Sequence, residues 1–165
     1  QHNPLVMNGW IKRGEEKQIR TNTRYHRLNI NGAVDIDSHE IITQMHPKLN
    51  EEASLDFLEV LRQKRPQGKI YLVLDNAGYY NTPRVKEFAA ACAIELLFLP
   101  AYSPNLNLIE RVWLFFQKKI LYNKYYPTFE QFRQACVEFF KPKRQATYRD
   151  ELASLLTEKF EVIHN

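Results

Sequence analysis

The sequence predicts an α/β fold, a mixed sheet with flanking helices, and three features carry that prediction. Residues 28–36 alternate apolar and polar side chains, and residues 40–46 return after the tight turn Asp37-Ser38-His39, which makes a half-buried hairpin. Two short apolar runs, 69–74 and 94–99, read as buried strands. The order helix, strand, helix, strand, helix around those runs joins them as parallel neighbours in a mixed sheet.

Taken in order, residues 1–27 are polar and irregular, with a basic, threonine-rich patch at 12–27. After the hairpin, Asn50-Glu51-Glu52 starts a helix: the Asn side chain accepts from a free first-turn amide, and the two acids meet the positive end of the helix dipole. Leu55, Leu58, Val60 and Leu61 follow helical spacing, and Pro66-Gln67-Gly68 ends the helix. The strand read at 69–74 is continuously apolar from Ile70 onward, as expected when both faces of a strand are covered. Asn81-Thr82-Pro83 opens a helix to about Ala93, with proline pre-organised near its first turn. Pro100 closes the second apolar run. Asn107 caps a helix to about Tyr122, and Thr128 caps another from Phe129 to about Phe140. The charged tail from Lys141 is helical again around 150–160. Residues 1–165 are read as one domain with a helical carboxyl-terminal extension from about 127.

Composition narrows the classes. A chain of 165 residues, 44% apolar and 25% charged, is long enough to bury a core. A net charge of +4 is compatible with nucleic acid without demanding it. No stretch approaches the ~18 apolar residues a membrane span needs, and no signal peptide is visible, so a cytoplasmic protein without a membrane partner is expected. Cys92 and Cys136 are read as buried thiols rather than a disulfide or zinc ligands. The histidines show no metal-ligand spacing and are read as surface residues.

Two carboxylates stand out. Asp75 ends the run Ile70-Tyr71-Leu72-Val73-Leu74, at the strand end where open α/β sheets place their sites. A plain turn with Asn76 and Asn81 is the alternative. Glu110 falls at the start of a helix, and Asn107-x-x-Glu110 also fits a capping box, which needs no ligand. A strand-end Asp and a helical Glu can share a divalent cation, and two such ions can clamp both oxygens of an in-line phosphoryl displacement.

The ordered blocks Leu74-Asp75-Asn76-Ala77 and Leu99-Pro100-Ala101-Tyr102-Ser103-Pro104-Asn105-Leu106-Asn107-Leu108-Ile109-Glu110-Arg111-Val112-Trp113 resemble the catalytic domain of DDE transposases, in the bacterial insertion-sequence branch of the mariner superfamily. Weaker similarity runs back to Gln1 and forward to about Tyr126. The resemblance implies a ribonuclease-H-like fold, three metal-binding carboxylates, Mg²⁺ or Mn²⁺ as cofactor, and DNA strand cleavage and transfer during transposition. On it, Asp75 and Glu110 are the expected catalytic metal ligands. Asn76, Tyr102, Ser103, Arg111, Lys118 and Lys119 are candidate DNA contacts; turn chemistry and solvated helix charges are the bland readings of the same residues.

There are departures from the family pattern. Leu108 replaces the proline common after the motif's Asn, and Tyr80 stands where many members have His. The resemblance also implies a first catalytic Asp on a central strand just ahead of a His-x-x-His-Asn-Pro-like segment. Here Gln1-His2-Asn3-Pro4 opens the chain, so that Asp and its strand are expected to be missing. Asp35 and Asp37 are candidate substitutes for the absent ligand. Two readings follow: a transposase domain, active in its intact form, or an inactive remnant that binds nucleic acid or associates with itself. The strand gap is expected to be filled by residues 1–10 or, preferably, closed by association of two chains through their sheet edges, hence an expected homo-oligomer.

Overall fold

The computed structural model of the chain describes residues 26–100 and 107–157. The alternating stretch forms β1 (Asn29–Val34), which returns as β2 (Ile41–His46) in an antiparallel pair with Asn29 opposite His46 and Val34 opposite Ile41. Asp35 closes the turn: its Oδ1 accepts the amides of Asp37 and Ser38 at 3.0 and 2.8 Å. In α1 (Glu51–Lys64) the Asn50 side chain accepts from the Ala53 amide at 3.0 Å, with Glu51 and Glu52 in the first turn. Then come β3 (Ile70–Leu74), a short 3₁₀ turn (Gly78–Tyr80), α2 (Pro83–Ala91) behind the Thr82 cap, and β4 (Ile94–Phe98). β3 and β4 run parallel, with Ile70 opposite Ile94 and Leu74 opposite Phe98. α3 (Leu108–Ile120), α4 (Phe129–Phe140), α5 (Pro142–Thr147) and α6 (Arg149–Leu155) complete the described chain. Thr128 and Gln131 form a reciprocal capping box at the start of α4.

The two-residue period of β1 divides the core. Ile30 and Val34 join a cluster with α3, α4 and α6, whereas Ala33 joins one with α1, α2, β3 and β4. The first cluster is aromatic: the Phe116 ring lies 5.2 Å from Phe139 and 5.1 Å from Phe140. The second is mainly aliphatic around Phe57, Leu58, Leu72, Val85 and Ile94. Gln145 of α5 ties the first cluster to β2, because its side chain both accepts from the Ile41 amide at 2.9 Å and donates to the Ile41 carbonyl at 2.8 Å.

The described strands form two pairs, β1–β2 and β3–β4, and among the described residues no strand bridges them. A groove of about 770 Å³ lies between them, lined by β1 from Ile30 to Val34 and by β3 throughout. β3 is covered on one face only: Leu72 and Leu74 are buried, but Tyr71 is 60% and Val73 45% exposed. An unbroken apolar run does not separate these cases, since a face waiting for cover is as apolar as a covered one. The helix expected around 150–160 is α6 as far as Leu155, residues 158–160 lying outside the described residues, and α5 precedes it with Pro142 at its first helical position. No helix among the described residues is long and apolar enough to cross a membrane.

Candidate active site

Asp75 directly follows β3, and several short-range bonds fix the chain there. Its Oδ1 accepts the Ala77 amide at 3.3 Å, and the Asn76 side chain donates to the Leu99 carbonyl at 2.8 Å. The Tyr80 amide closes the 3₁₀ turn on the Ala77 carbonyl at 3.0 Å. The Tyr80 hydroxyl is buried and donates to Asn31 Oδ1 of β1 at 3.0 Å.

Glu110 reaches the same groove from the first turn of α3. The capping box that is the alternative reading of Asn107 and Glu110 is not formed. Asn107 is buried, and only its backbone carbonyl serves, taking the Glu110 amide at 3.0 Å. The Glu110 carboxylate is thereby left for the groove. Its helix is seated closely on β1, because Trp113 lies over Gly32: a Cβ at Gly32 would fall 2.7 Å from the indole ring. A glycine inside an alternating strand is the signal that would have revealed this approach.

Both carboxylates line the same groove. The Glu110 carboxyl is pushed above its ordinary range, first by burial and then by the negative charge of Asp75. The Tyr79 phenol is raised by the same two causes in the same order. Neither Asp75 nor Glu110 makes an ion pair with another described residue. Like-charged, hard oxygen donors are the type of ligand that Mg²⁺ and Mn²⁺ prefer. Among the described residues no group of three or more acidic, histidine or cysteine side chains is close enough to hold a metal, so the pair would leave most coordination positions to water or another ligand.

The other candidates are placed as follows. Arg111 donates to the carbonyls of Leu155 and Thr157 at 2.9 and 2.8 Å, which docks the end of α6 on α3. Lys119 pairs with Glu151 at 2.8 Å and lies 5.0 Å from the Phe115 and Tyr148 ring centres. Lys118 is exposed on α3 and makes no ion pair with a described residue. Tyr102 and Ser103, and the stretch 1–10, lie outside the described residues. Asp35 is held by Arg65 at 3.0 Å, and Arg65 precedes β3, so Asp35 belongs to the end of that strand opposite Asp75. A five-residue strand separates those ends by roughly 16 Å, too far for Asp35 to complete the pair as a ligand. Asp37 is exposed in the same turn. His46 is no plain surface residue, since its Nε2 is buried without a hydrogen-bond partner among the described residues. Cys136 is buried and free, its thiol pushed up to about 12, first by desolvation; Cys92 is free and half-buried.

Comparison with known proteins bears on the family and the fold. Residues 1–133 match the profile of the DDE superfamily endonuclease family. The uncharacterized protein y4pE/y4sA of Sinorhizobium fredii (strain NBRC 101917 / NGR234) is 33% identical over 91 residues, 54% of this chain and 65% of that protein. The Mos1 transposase paired-end complex with left transposon end superposes with a TM-score of 0.62 at 17% identity, over 96% of this chain and 53% of that one. The catalytic domain of Mos1 mariner transposase gives 0.59 at 16% identity, over 78% and 69%. At such identities the likeness is one of fold, and the chain spans about half of the Mos1 transposase chain in the paired-end complex. Mos1 paired-end complexes have been solved with Mn and with Mg.

Proposed function

We propose that this chain, which belongs to the DDE superfamily endonuclease family, forms the metal-binding part of a DNA transposase, with Asp75 and Glu110 as ligands. The observation that carries the proposal is the shared groove in which Glu110 is pushed up by burial and by the charge of Asp75. A divalent cation would relieve that repulsion with oxygen ligands it prefers. When bound, Mg²⁺ or Mn²⁺ would stabilise the attacking and leaving oxygens of an in-line displacement at phosphorus. The chain's own part is to hold the two carboxylates: the 75–80 turn fixes one, and the seating of Trp113 on Gly32 fixes the other. In the reaction a water oxygen bonds to phosphorus and the P–O3′ bond breaks, leaving a 3′-hydroxyl. That hydroxyl then attacks a target phosphodiester and displaces the target's own 3′-oxygen.

The groove between β1 and β3 is where a third carboxylate would enter. Among the described residues β1 pairs only with β2 and β3 only with β4, so each strand presents an edge to that groove. An extended apolar segment ending in an acidic residue would pair with both edges and bring its carboxylate beside Asp75. The partners proposed are DNA, with Lys118 as a phosphate contact, and a second copy of the chain when the edges pair between molecules. Nicking of supercoiled plasmid in Mg²⁺ tests the reading. The chain alone should nick poorly, and a version with an Asp-tipped apolar strand fused ahead of Gln1 should nick in a way that Asp75→Asn abolishes. Nicking that survives Asp75→Asn would refute the assignment. Plasmid binding without any nicking by the fused version would favour a binding module instead.

A further inference from the structure

We propose that Tyr80 is a positioning residue for Asp75, acting through its buried hydrogen bond to Asn31; this rests on the metal-site reading above. The bond spans 49 positions of sequence and joins the two halves of the groove. Tyr80 is the last residue of the 3₁₀ turn that begins three residues after Asp75, and it is 4% exposed. Asn31 lies in the middle of β1, is 9% exposed and lines the same groove as Asp75 and Glu110.

The hydrogen bonds leave Tyr80 a specific part to play. Asp75 is exposed and meets its neighbours through one long bond to the Ala77 amide, at 3.3 Å. Asn76 pins the loop to the end of β4 at Leu99. Neither contact reaches β1, which seats α3 and with it Glu110. Among the described residues the Tyr80–Asn31 bond is the polar link between the Asp75 turn and that strand. The two carboxylates therefore keep their relative position only as long as the turn stays tied to β1. A single bond suffices because both partners are buried, so water cannot replace either one cheaply.

Outer-shell hydrogen bonds that orient metal ligands are worth about tenfold or more in affinity. The test is the Mn²⁺ affinity of the chain, read from the electron-spin-resonance signal of free Mn²⁺. The set is wild type, Asp75→Ala, Tyr80→Phe, Asn31→Leu and the double variant Tyr80→Phe/Asn31→Leu, each checked for folding by thermal melt. Tyr80→Phe keeps the ring in its core and removes only the hydroxyl. The expected result is a loss of about tenfold in Tyr80→Phe, a similar loss in Asn31→Leu, and no further loss in the double variant. If Asp75→Ala weakens Mn²⁺ binding but folded Tyr80→Phe binds as wild type does, the positioning role is overturned and the metal site stands. Losses that add in the double variant would overturn it as well. If Asp75→Ala binds Mn²⁺ as wild type does, the metal site itself falls, and the role of Tyr80 with it.

Discussion

The two ends of β3 hold the same residue types in opposite electrostatic settings. Before its amino end, Asp35 and Glu40 both reach Arg65, whose Nη2 lies 3.0 and 2.8 Å from their oxygens. The Asp35 carboxyl is held below its ordinary range, chiefly by the Ser38 amide, with Arg65 adding to it against the cost of burial. At the carboxyl end, Asp75 and Glu110 meet in a groove without an ion-pair partner among the described residues, and Glu110 is pushed the other way. An acidic pair that the protein has neutralised itself is a structural device. One left with its mutual repulsion is poised for a cation from outside. The difference lies in the third group, which neither the spacing nor the identity of the acids reveals.

The largest effect expected comes from breaking the carboxyl end mechanically. Gly32→Val drives a side chain into Trp113 and should cost about 1–3 kcal/mol in urea unfolding. It should also move the carboxyl resonance of Glu110 while that of Asp35 stays in place. Unchanged stability would mean that α3 is not seated on β1 as described.

Next in size is the amino end. Arg65→Met leaves Asp35 and Glu40 facing each other and should cost about 1 kcal/mol near pH 7, since the ion pairs are partly exposed. The Asp35 carboxyl is depressed in the folded state. Its contribution is therefore complete above the unfolded carboxylate value and disappears as pH falls through the folded one. The variant and wild type should converge in acid, and a gap that persists there would rule out the charge explanation.

The smallest effect has the opposite sign. The Glu110 carboxyl is raised in the folded state, so folding binds extra proton there, and stability falls as pH rises from the unfolded to the folded value. Glu110→Gln should melt slightly higher than wild type at neutral pH and alike in acid. Added Mg²⁺ should raise the melting temperature of wild type more than that of the variant.

Much of the fold is local and so was legible in the sequence. Asn50, Thr82 and Thr128 cap their helices as their side chains predict, and the hairpin follows from alternation about the Asp35 turn. The parallel β3–β4 pair follows from the order of elements. The ribonuclease-H-like fold came from the resemblance, and it is the fold shared with the Mos1 catalytic domain. What the sequence hid is non-local. The open face at Tyr71 and Val73 and the Tyr80–Asn31 bond both depend on residues far apart in the chain. The alternative capping box shows the same limit from the other side: Asn107 and Glu110 have the right spacing, yet Asn107 is drawn into the core and the box does not form. Nor did the sequence show the partners of Arg111 and Lys119, which lie in and beyond α6, more than thirty positions away.

The most direct test of the contrast between the two ends is a carbon-13 titration of the carboxyl groups of Asp35, Glu40, Asp75 and Glu110, with and without Mg²⁺. The account predicts that Glu110 titrates above and Asp35 below the ordinary carboxylate range. Mg²⁺ should shift the resonances of Asp75 and Glu110 and lower the apparent pKa of Glu110, while Asp35 and Glu40 stay unchanged. Equal Mg²⁺ shifts at both ends of β3, or none at Asp75 and Glu110 at saturating concentration, would contradict it.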